Sequence, residues 1–380
     1  MRDTAGASIR VAIDATPLLL RSAGVKTHLY YWLRSLQAQA QAEGFHITAF
    51  PAIRVPAEVH HDRSVLERGA TLARLIYVGL ANYVPLPLLD WTRPRADVFH
   101  ASHQCWNPPR RGKLTATVYD LTCWLMPELH SRANVTGMKR FARRILERAD
   151  GLIANSEHTR ADAVRILGLP AQHIRVIYPG VAEPYFRVPV GQAHEMAEHY
   201  GLPVEYVLFV GTIEPRKNVD RLLDAYAGLP AALRKNVPLV VIGPHGWRTP
   251  HTLRRLASMD GVRYLGYVPE AHLPALTAAA TVFVYPSLYE GFGLPLAQAM
   301  AAGVPSITSN VSSLPEVAGD AALLVNPEDV GELREALERL LRDPDLRWEL
   351  ARKARLRAAR FTWQACAAAS LDFFRQVCAG

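Results

Sequence analysis

Two stretches constrain this chain most: Tyr206 to Asp220, YVLFVGTIEPRKNVD, and Val282 to Gly303, VFVYPSLYEGFGLPLAQAMAAG. Each runs from a short apolar segment through a polar loop into the start of a helix. The segments Val207 to Val210 and Val282 to Tyr285 are β-branched and aromatic, too short for helices, and bounded by turn residues, which predicts buried parallel strands. Asn218 stands where it would N-cap a helix carrying Leu222, Leu223 and Tyr226, and Pro295 suits the first position of a helix that Gly303 ends. Two helix N-termini are therefore expected at the carboxyl ends of strands in one sheet.

The first-turn amides of a helix are unpaired and carry partial positive charge, so such ends attract anions. Open α/β sheets bind ligands in the crevice beside them. Arg216 and Lys217 stand just ahead of one helix and Glu290 just ahead of the other. A guanidinium grips a diphosphate with two hydrogen bonds, and an ammonium adds a compact charge. Phosphate repels a carboxylate, so Glu290 is expected to face sugar hydroxyls, with Gly291 and Gly293 allowing close backbone approach. The expected ligand is a sugar joined to a diphosphate.

The loop GTIEPRKN with its Leu-Leu helix, and the segment YPSLYEGFGLPLAQAMAAGVP, resemble the donor-binding half of retaining nucleotide-sugar glycosyltransferases of family 4. A weaker resemblance runs through VAIDATPL with AGVK, VYDLTCWLMPELH, and NSEHTRADAVRILGLPAQHIRVIYPGV. The family implies an α/β GT-B fold, in which two Rossmann-like doubly wound parallel-sheet domains face each other across a cleft. It implies catalytic roles for Arg216, Lys217 and Glu290, and donor contacts from Gly24, Phe292, Gly293, Leu294, Gln298 and Glu316. It also implies that the loop holding Gly24 closes over the diphosphate, with Lys26 adding charge.

Three hundred and eighty residues suggest about two to three domains. Pro179, Gly180, Pro184, Pro189 and Gly191 mark an irregular connector. The expected division is 1–187 as the acceptor domain and 188–362 as the donor domain, with a final helix over 363–380 crossing back to the first. In the first, Ile9 to Ile13 reads as a strand, Arg21 to Gly24 as a loop, and Val25 to Glu43 as a helix. Further strands are expected near 45–50, 97–100, 114–118, 152–154 and 174–178. In the second they fall near 207–210, 238–242, 263–265, 281–285, 304–308 and 322–325, alternating with helices, which means a parallel doubly wound sheet.

Residues 1–190 carry 24 Lys+Arg against 15 Asp+Glu, and the remainder 19 against 20, so the net +8 belongs to the first half. This favours an anionic surface or substrate there, and a rim of solvated arginines reads the same way. MKRFARRILER, 138–148, is a basic amphipathic segment with Phe141, Ile145 and Leu146 on one side, a composition suited to an anionic membrane face or to a solvated outer helix. No recognised nucleic-acid-binding module accompanies the charge, so nucleic acid is not an expected partner. Cys105, Cys123, Cys366 and Cys378 form no CxxC pair and read as reduced cytoplasmic thiols. The N-terminus has no signal-peptide pattern, and Leu75 to Trp91, interrupted by Asn82, Pro85, Pro87 and Asp90, is too broken to span a bilayer. The expected location is cytoplasmic, with peripheral attachment to the inner face of a membrane as an option. The absence of GxGxxG argues against a nicotinamide dinucleotide.

The chain departs from its relatives at two positions. Tyr119 stands where many carry a histidine near the acceptor, and a tyrosine, with an ordinary pKa near 10, is a poor general base at neutral pH. Asp120 and His103 are the accompanying acceptor-side candidates, and His100 and His103 either substitute for the missing histidine or are packing residues. Gln298 is separated from Glu290 by seven residues, where the family carries a second glutamate at the ribose. Glu316 is a further donor candidate, or the partner of Ser313 in a capping box. Asp343 and Asp345 imitate a metal-binding DxD pair but sit at a helix end. No metal and no other cofactor is expected.

Cleaving the bond between sugar and diphosphate leaves negative charge on the leaving group, which Arg216, Lys217 and the helix ends would stabilise. The expected activity is hexosyl transfer from a nucleotide-diphosphate sugar to a glycan or lipid-linked acceptor in surface polysaccharide synthesis. The mannosyltransferase-like character of VAIDATPL and GTIEPRKN leans toward GDP-mannose, with UDP-sugars open. The alternatives are a catalytically weak nucleotide-sugar-binding partner subunit and another GT-B chemistry such as epimerisation or phosphorolysis.

Overall fold

The computed structural model describes residues 8–20, 24–56, 58–60, 63–83, 95–247 and 249–380. The chain forms two compact units, Met1–Gly180 with Trp363–Gly380, and Val181–Thr362. The expected loop residues Arg21, Ser22 and Ala23, and the later part of the apolar stretch ending at Trp91, lie outside the described residues.

The first unit carries β1 (Ile9–Asp14), β2 (Phe45–Phe50), β3 (Val98–Ala101), β4 (Lys113–Val118), β5 (Gly151–Ala154) and β6 (Ile174–Val176). They form one parallel sheet in the order β2-β1-β3-β4-β5-β6. Helices cover both faces, as continuous apolar strands require. On one face, Gly24–Ala40 packs Leu29, Trp32, Leu33 and Leu36 into a core shared with Leu371, Phe373 and Phe374 of the C-terminal helix Trp363–Ala379. Trp32 Nε1 donates to Ser370 Oγ at 2.9 Å, and Ser35 Oγ to the Trp363 carbonyl at 2.9 Å. Gly151 is required there, because a Cβ would lie 2.7 Å from Val377 Cγ2 and 2.9 Å from Phe373 Cζ. The helix expected over 363–380 therefore belongs to the first unit through side-chain packing, each buried aromatic or leucine contributing roughly 1.5–3 kcal/mol.

The second unit carries β7 (Val207–Val210), β8 (Leu239–Ile242), β9 (Val262–Gly266), β10 (Val282–Tyr285), β11 (Ser306–Ser309) and β12 (Ala322–Val325). They too form one parallel sheet, in the order β12-β11-β10-β7-β8-β9. Counted from β7, this is the doubly wound order 6-5-4-1-2-3, which reverses direction between β7 and β10. Helices Val219–Ala227, Leu294–Ala301 and Val330–Arg342 alternate with the strands. Leu333, Leu337 and Leu340 bury the inner face of the last of these.

Candidate functional site

The second unit's strand order sets the location of the site. At β7 and β10, joined by the register Val282↔Val207, the connections leave toward opposite faces of the sheet, so their loops part and leave a crevice. The loop after β7 carries Glu214 in extended conformation, then a short 3-10 turn Pro215–Lys217, then Asn218. The loop after β10 carries Tyr289 and Glu290 and ends at Gly293, whose φ of +93° starts helix Leu294–Ala301 with Pro295 in its first turn. A Cβ at Gly293 would lie 2.6 Å from Leu314 Cδ2, so glycine serves both conformation and packing there.

These loops bring Arg216, Lys217 and Glu290 together. Lys217 Nζ donates to Glu290 Oε1 at 2.6 Å, and Arg216 Nη1 lies 2.9 Å from the same oxygen. Arg216 also donates to the Tyr289 carbonyl at 2.8 Å and to Glu214 Oε1 at 2.6 Å. The Tyr285 hydroxyl donates to Glu290 Oε1 at 3.0 Å and accepts from Lys217. The four charged side chains are between 5% and 15% exposed. The loops are held from behind: Leu288 N donates to the Arg216 carbonyl, Ser312 Oγ accepts from Glu290 N, and Ser313 Oγ donates to the Glu290 carbonyl.

Burial alone would raise the Glu290 carboxyl pKa. The charges of Arg216 and Lys217, with the hydrogen bond from Lys217, outweigh it and lower the pKa to about 2. Glu290 is therefore anionic at neutral pH. One guanidinium and one ammonium meet two carboxylates, so the formal charges of the cluster cancel.

Asn218 occupies the N-cap position of Val219–Ala227, but its side chain makes no capping bond. Its φ of +61° places it in the left-handed region, which asparagine tolerates, and its amide donates to the carbonyls of Pro286 at 3.0 Å and Pro327 at 2.6 Å. The expected cap is instead a bridge between loops. The capping box at Ser313 is likewise absent, because the Ser313 hydroxyl is committed to Glu290; Glu316 is half-buried in the first turn of Leu314–Ala318.

Among the other donor candidates, Gln298 lies buried on helix Leu294–Ala301, and Leu294 is half-buried at its start. The Phe292 ring is buried edge-on against Phe361, with centroids 5.3 Å apart, so its side chain is a packing element. Gly24 is the exposed first residue of its helix, with no atom of the described residues within 4 Å of a Cβ. Lys26 does not offer a loose charge: it is fully buried, and its ammonium donates to the carbonyls of Leu20 at 2.9 Å and Arg63 at 2.5 Å. Asp343 caps helix Pro344–Ala358 through the Leu346 amide.

The acceptor-side candidates belong to the first unit. Tyr119 follows β4, packs edge-on against His28, and has its hydroxyl pKa pushed up by burial. Asp120 accepts from the amide and hydroxyl of Thr122. His103 has its pKa lowered to about 4 by burial, opposed by the charge of Asp120. His100 is a core residue, bonded to Thr115 and Thr117 at 3.0 Å each. Both of its ring nitrogens are engaged within the core. At this unit's own strand reversal, between β1 and β3, the buried Asp14 carboxylate is held by Thr16 and by Ser102 Oγ at 2.6 Å.

The helix expected over 138–148 also differs. Arg132–Arg144 is the helix, followed by a 3-10 turn Leu146–Arg148, and Phe141, Ile145 and Leu146 are buried in the unit's core. The apolar side that a membrane would need is already occupied by protein. A different helix, Arg68–Tyr83, exposes Leu72, Ile76 and Leu80 at one-turn intervals, each at least half exposed.

Sequence reasoning missed Glu214 and Tyr285. Glu214 was legible only as a charged residue close in sequence to Arg216, because the 3-10 turn Pro215–Lys217 between them breaks any strand alternation. Tyr285 carried the weaker signal of a polar tip at the end of an otherwise apolar strand.

Comparison with known proteins agrees with the two-unit division of motifs. A family model described as Glycosyltransferase Family 4 matches residues 22–183, and one described as Glycosyl transferases group 1 matches residues 199–357. The O-antigen chain mannosyltransferase B of Escherichia coli is 33% identical over 287 residues, 74% of this chain and 75% of that protein. The serotype-specific mannosyltransferase WbdA of E. coli is 33% identical over 241 residues, and this chain spans only 29% of its length. Among solved structures, sucrose-phosphate synthase from Thermosynechococcus elongatus superposes with a TM-score of 0.73 at 24% identity, covering 98% of this chain and 99% of that one. Anabaena HepE in complex with UDP and glucose gives 0.71 at 19% identity, covering 97% and 100%. Two six-stranded parallel sheets of this kind are the pair of Rossmann-like units of the GT-B fold. The chain belongs to the family 4 glycosyltransferases.

Proposed function

We propose that this chain moves a hexose from a nucleotide-diphosphate sugar to a glycan or lipid-linked acceptor, with retention of configuration and without a metal. One observation carries the proposal: the charged atoms of Arg216 and Lys217 both lie within 2.9 Å of Glu290 Oε1, where the strand order of the sheet reverses. In this reading Arg216 and Lys217 take the diphosphate and the negative charge that grows on it, while Glu290 holds sugar hydroxyls. Gln298, on the helix beyond Glu290, offers an amide to the ribose. Tyr119, Asp120 and His103 would face the acceptor. Mannose from GDP-mannose is the favoured donor, on the likeness to the mannosyltransferases, with a UDP-sugar as the competing choice.

No helix among the described residues is long and apolar enough to cross a membrane. Contact with a lipid-borne acceptor is instead assigned to the ridge of Leu72, Ile76 and Leu80. The exposed bases Arg132, Lys139, Arg143 and Arg144 of the same unit would attract an anionic surface.

The test is transfer itself. Purified protein is incubated with GDP-mannose, and separately with UDP-glucose, in the presence of mannan oligosaccharides or a polyprenyl-diphosphate glycan, with and without EDTA. A glycan product whose anomeric proton signal matches the donor's configuration supports the reading. Failure to consume any donor with any acceptor ends it.

A further inference from the structure

We propose that Glu290 makes the site select the intact sugar nucleotide over the free nucleoside diphosphate, by acting as the resting counter-ion of Lys217 and Arg216. The inference rests on the donor site proposed above. Its basis is where the contacts of Glu290 fall. Lys217 Nζ, Arg216 Nη1 and the Tyr285 hydroxyl all meet at its Oε1, so one carboxylate oxygen serves both cations.

The cations that would receive a diphosphate are thus already neutralised. Glu214 holds one arm of Arg216, and Glu290 holds the other together with Lys217. A diphosphate arriving beside them adds negative charge next to a buried carboxylate, and an uncompensated buried charge is costly. An intact donor brings its own remedy, because the sugar hydroxyls donate to Glu290 while the phosphates take the cations. The product diphosphate has no hydroxyls at that position, so Glu290 opposes it. Turnover then leaves a product that the site itself disfavours. Glu214 is expected to make no such exchange, because its direct ion pair is with the other arm of Arg216, Nη2. Tyr285 is a positioning residue that fixes Glu290 Oε1 from the strand end.

Calorimetric titration of wild type, Glu290→Gln and Glu214→Gln with GDP, UDP and their sugar nucleotides tests this. Glu290→Gln removes the charge and keeps the shape. It is expected to bind the preferred free diphosphate on the order of tenfold more tightly than wild type, within the usual range of site coupling, while the intact donor gains nothing. Glu214→Gln is expected to tighten both ligands alike and leave their ratio unchanged. Tyr285→Phe keeps every charge and is expected to narrow the ratio by about twofold to fivefold, with melting temperature recorded as a control for folding. If Glu290→Gln binds the diphosphate no more tightly than wild type does, the inference is wrong, although the donor site stands. If no nucleotide binds any of the four proteins, the donor site itself falls and the inference with it.

Discussion

The side-chain amide of Asn218 lies 3.0 Å from the carbonyl of Pro286, joining the loop that carries Arg216 and Lys217 to the loop that carries Glu290. A second bond from the same nitrogen, to Pro327 at 2.6 Å, extends the link to the segment after β12. Both bonds need a donor. Aspartate would cap a helix as well as asparagine does, but it cannot donate. Asn218→Asp should therefore destabilise the protein by about 1–3 kcal/mol for each buried carbonyl left without its partner. Urea unfolding reads the loss, and an unchanged midpoint would return Asn218 to a simple capping role.

Arg216 is the residue for which a conservative change is least conservative. It uses two nitrogens at once, on Glu214 and on Glu290 with Tyr289, a fork that lysine cannot reproduce. Arg216→Ala is expected to lower turnover by about 10²–10³, the loss usual for one preorganised charge-stabilising donor. Arg216→Lys should recover only part of it. Steady-state rates with saturating donor distinguish these, and near-normal turnover of the alanine variant would refute the assignment.

Gly293 is under two independent constraints, a φ of +93° and the approach of Leu314. The variant Gly293→Ala meets both the clash and the strained backbone, and is expected to cost about 1–3 kcal/mol from the backbone alone. Adding Leu314→Ala removes the clash and keeps the strain. The double variant should bind nucleotide better than Gly293→Ala while remaining less stable than Leu314→Ala by itself. Equal stability of those last two would show that packing, and not φ, selects glycine.

How much of this was readable beforehand follows from what each feature depends on. The twelve strands among the described residues lie within two residues of their expected positions, because continuous apolar runs between turn residues are a local signal. The pairing of Glu290 with Lys217 was not local. It joins residues 73 positions apart, and the sequence suggested a carboxylate facing a sugar and cations facing phosphate, without their meeting one another. Lys26 misled for a similar reason. A lysine beside a glycine loop looks free until the carbonyls of Leu20 and Arg63, brought close by the fold, are seen to hold it. The side chain of Asn218 was misread because capping is the commonest use of an asparagine there, and its actual acceptors belong to loops far along the chain.

Two histidines of the first unit predict how stability varies with pH. Burial lowers the pKa of His28 and of His100 to about 3, against an ordinary value of about 6.5 in the unfolded chain. Below 6.5 the unfolded state binds protons that the folded state refuses, so the contribution is complete above 6.5 and is lost as pH falls toward 3. Each histidine should add a slope of about 1.4 kcal/mol per pH unit in that window. His28 sits among the rings of Trp32, Tyr119 and Trp363, where phenylalanine preserves the contacts. Denaturant unfolding at several pH values from 7 to 5 should give His28→Phe about half the wild-type slope from this pair. An unaltered slope would mean that His28 takes up its proton in the folded state.

The two helices considered for membrane contact respond oppositely to substitution. Phe141 is 2% exposed and inside the core, so Phe141→Ala should cost about 3–5 kcal/mol of stability and reveal nothing about lipid. Leu72, Ile76 and Leu80 are 60%, 54% and 50% exposed, so their joint replacement by glutamine should leave the melting temperature within a few degrees of wild type. If the ridge enters an anionic bilayer, that triple variant should lose most of its sedimentation with vesicles containing phosphatidylglycerol. Wild type should bind such vesicles less as salt rises, because the bases of helix Arg132–Arg144 act through a screened field. Equal sedimentation of wild type and the triple variant would remove the ridge from the contact and leave the basic helix face as its sole source.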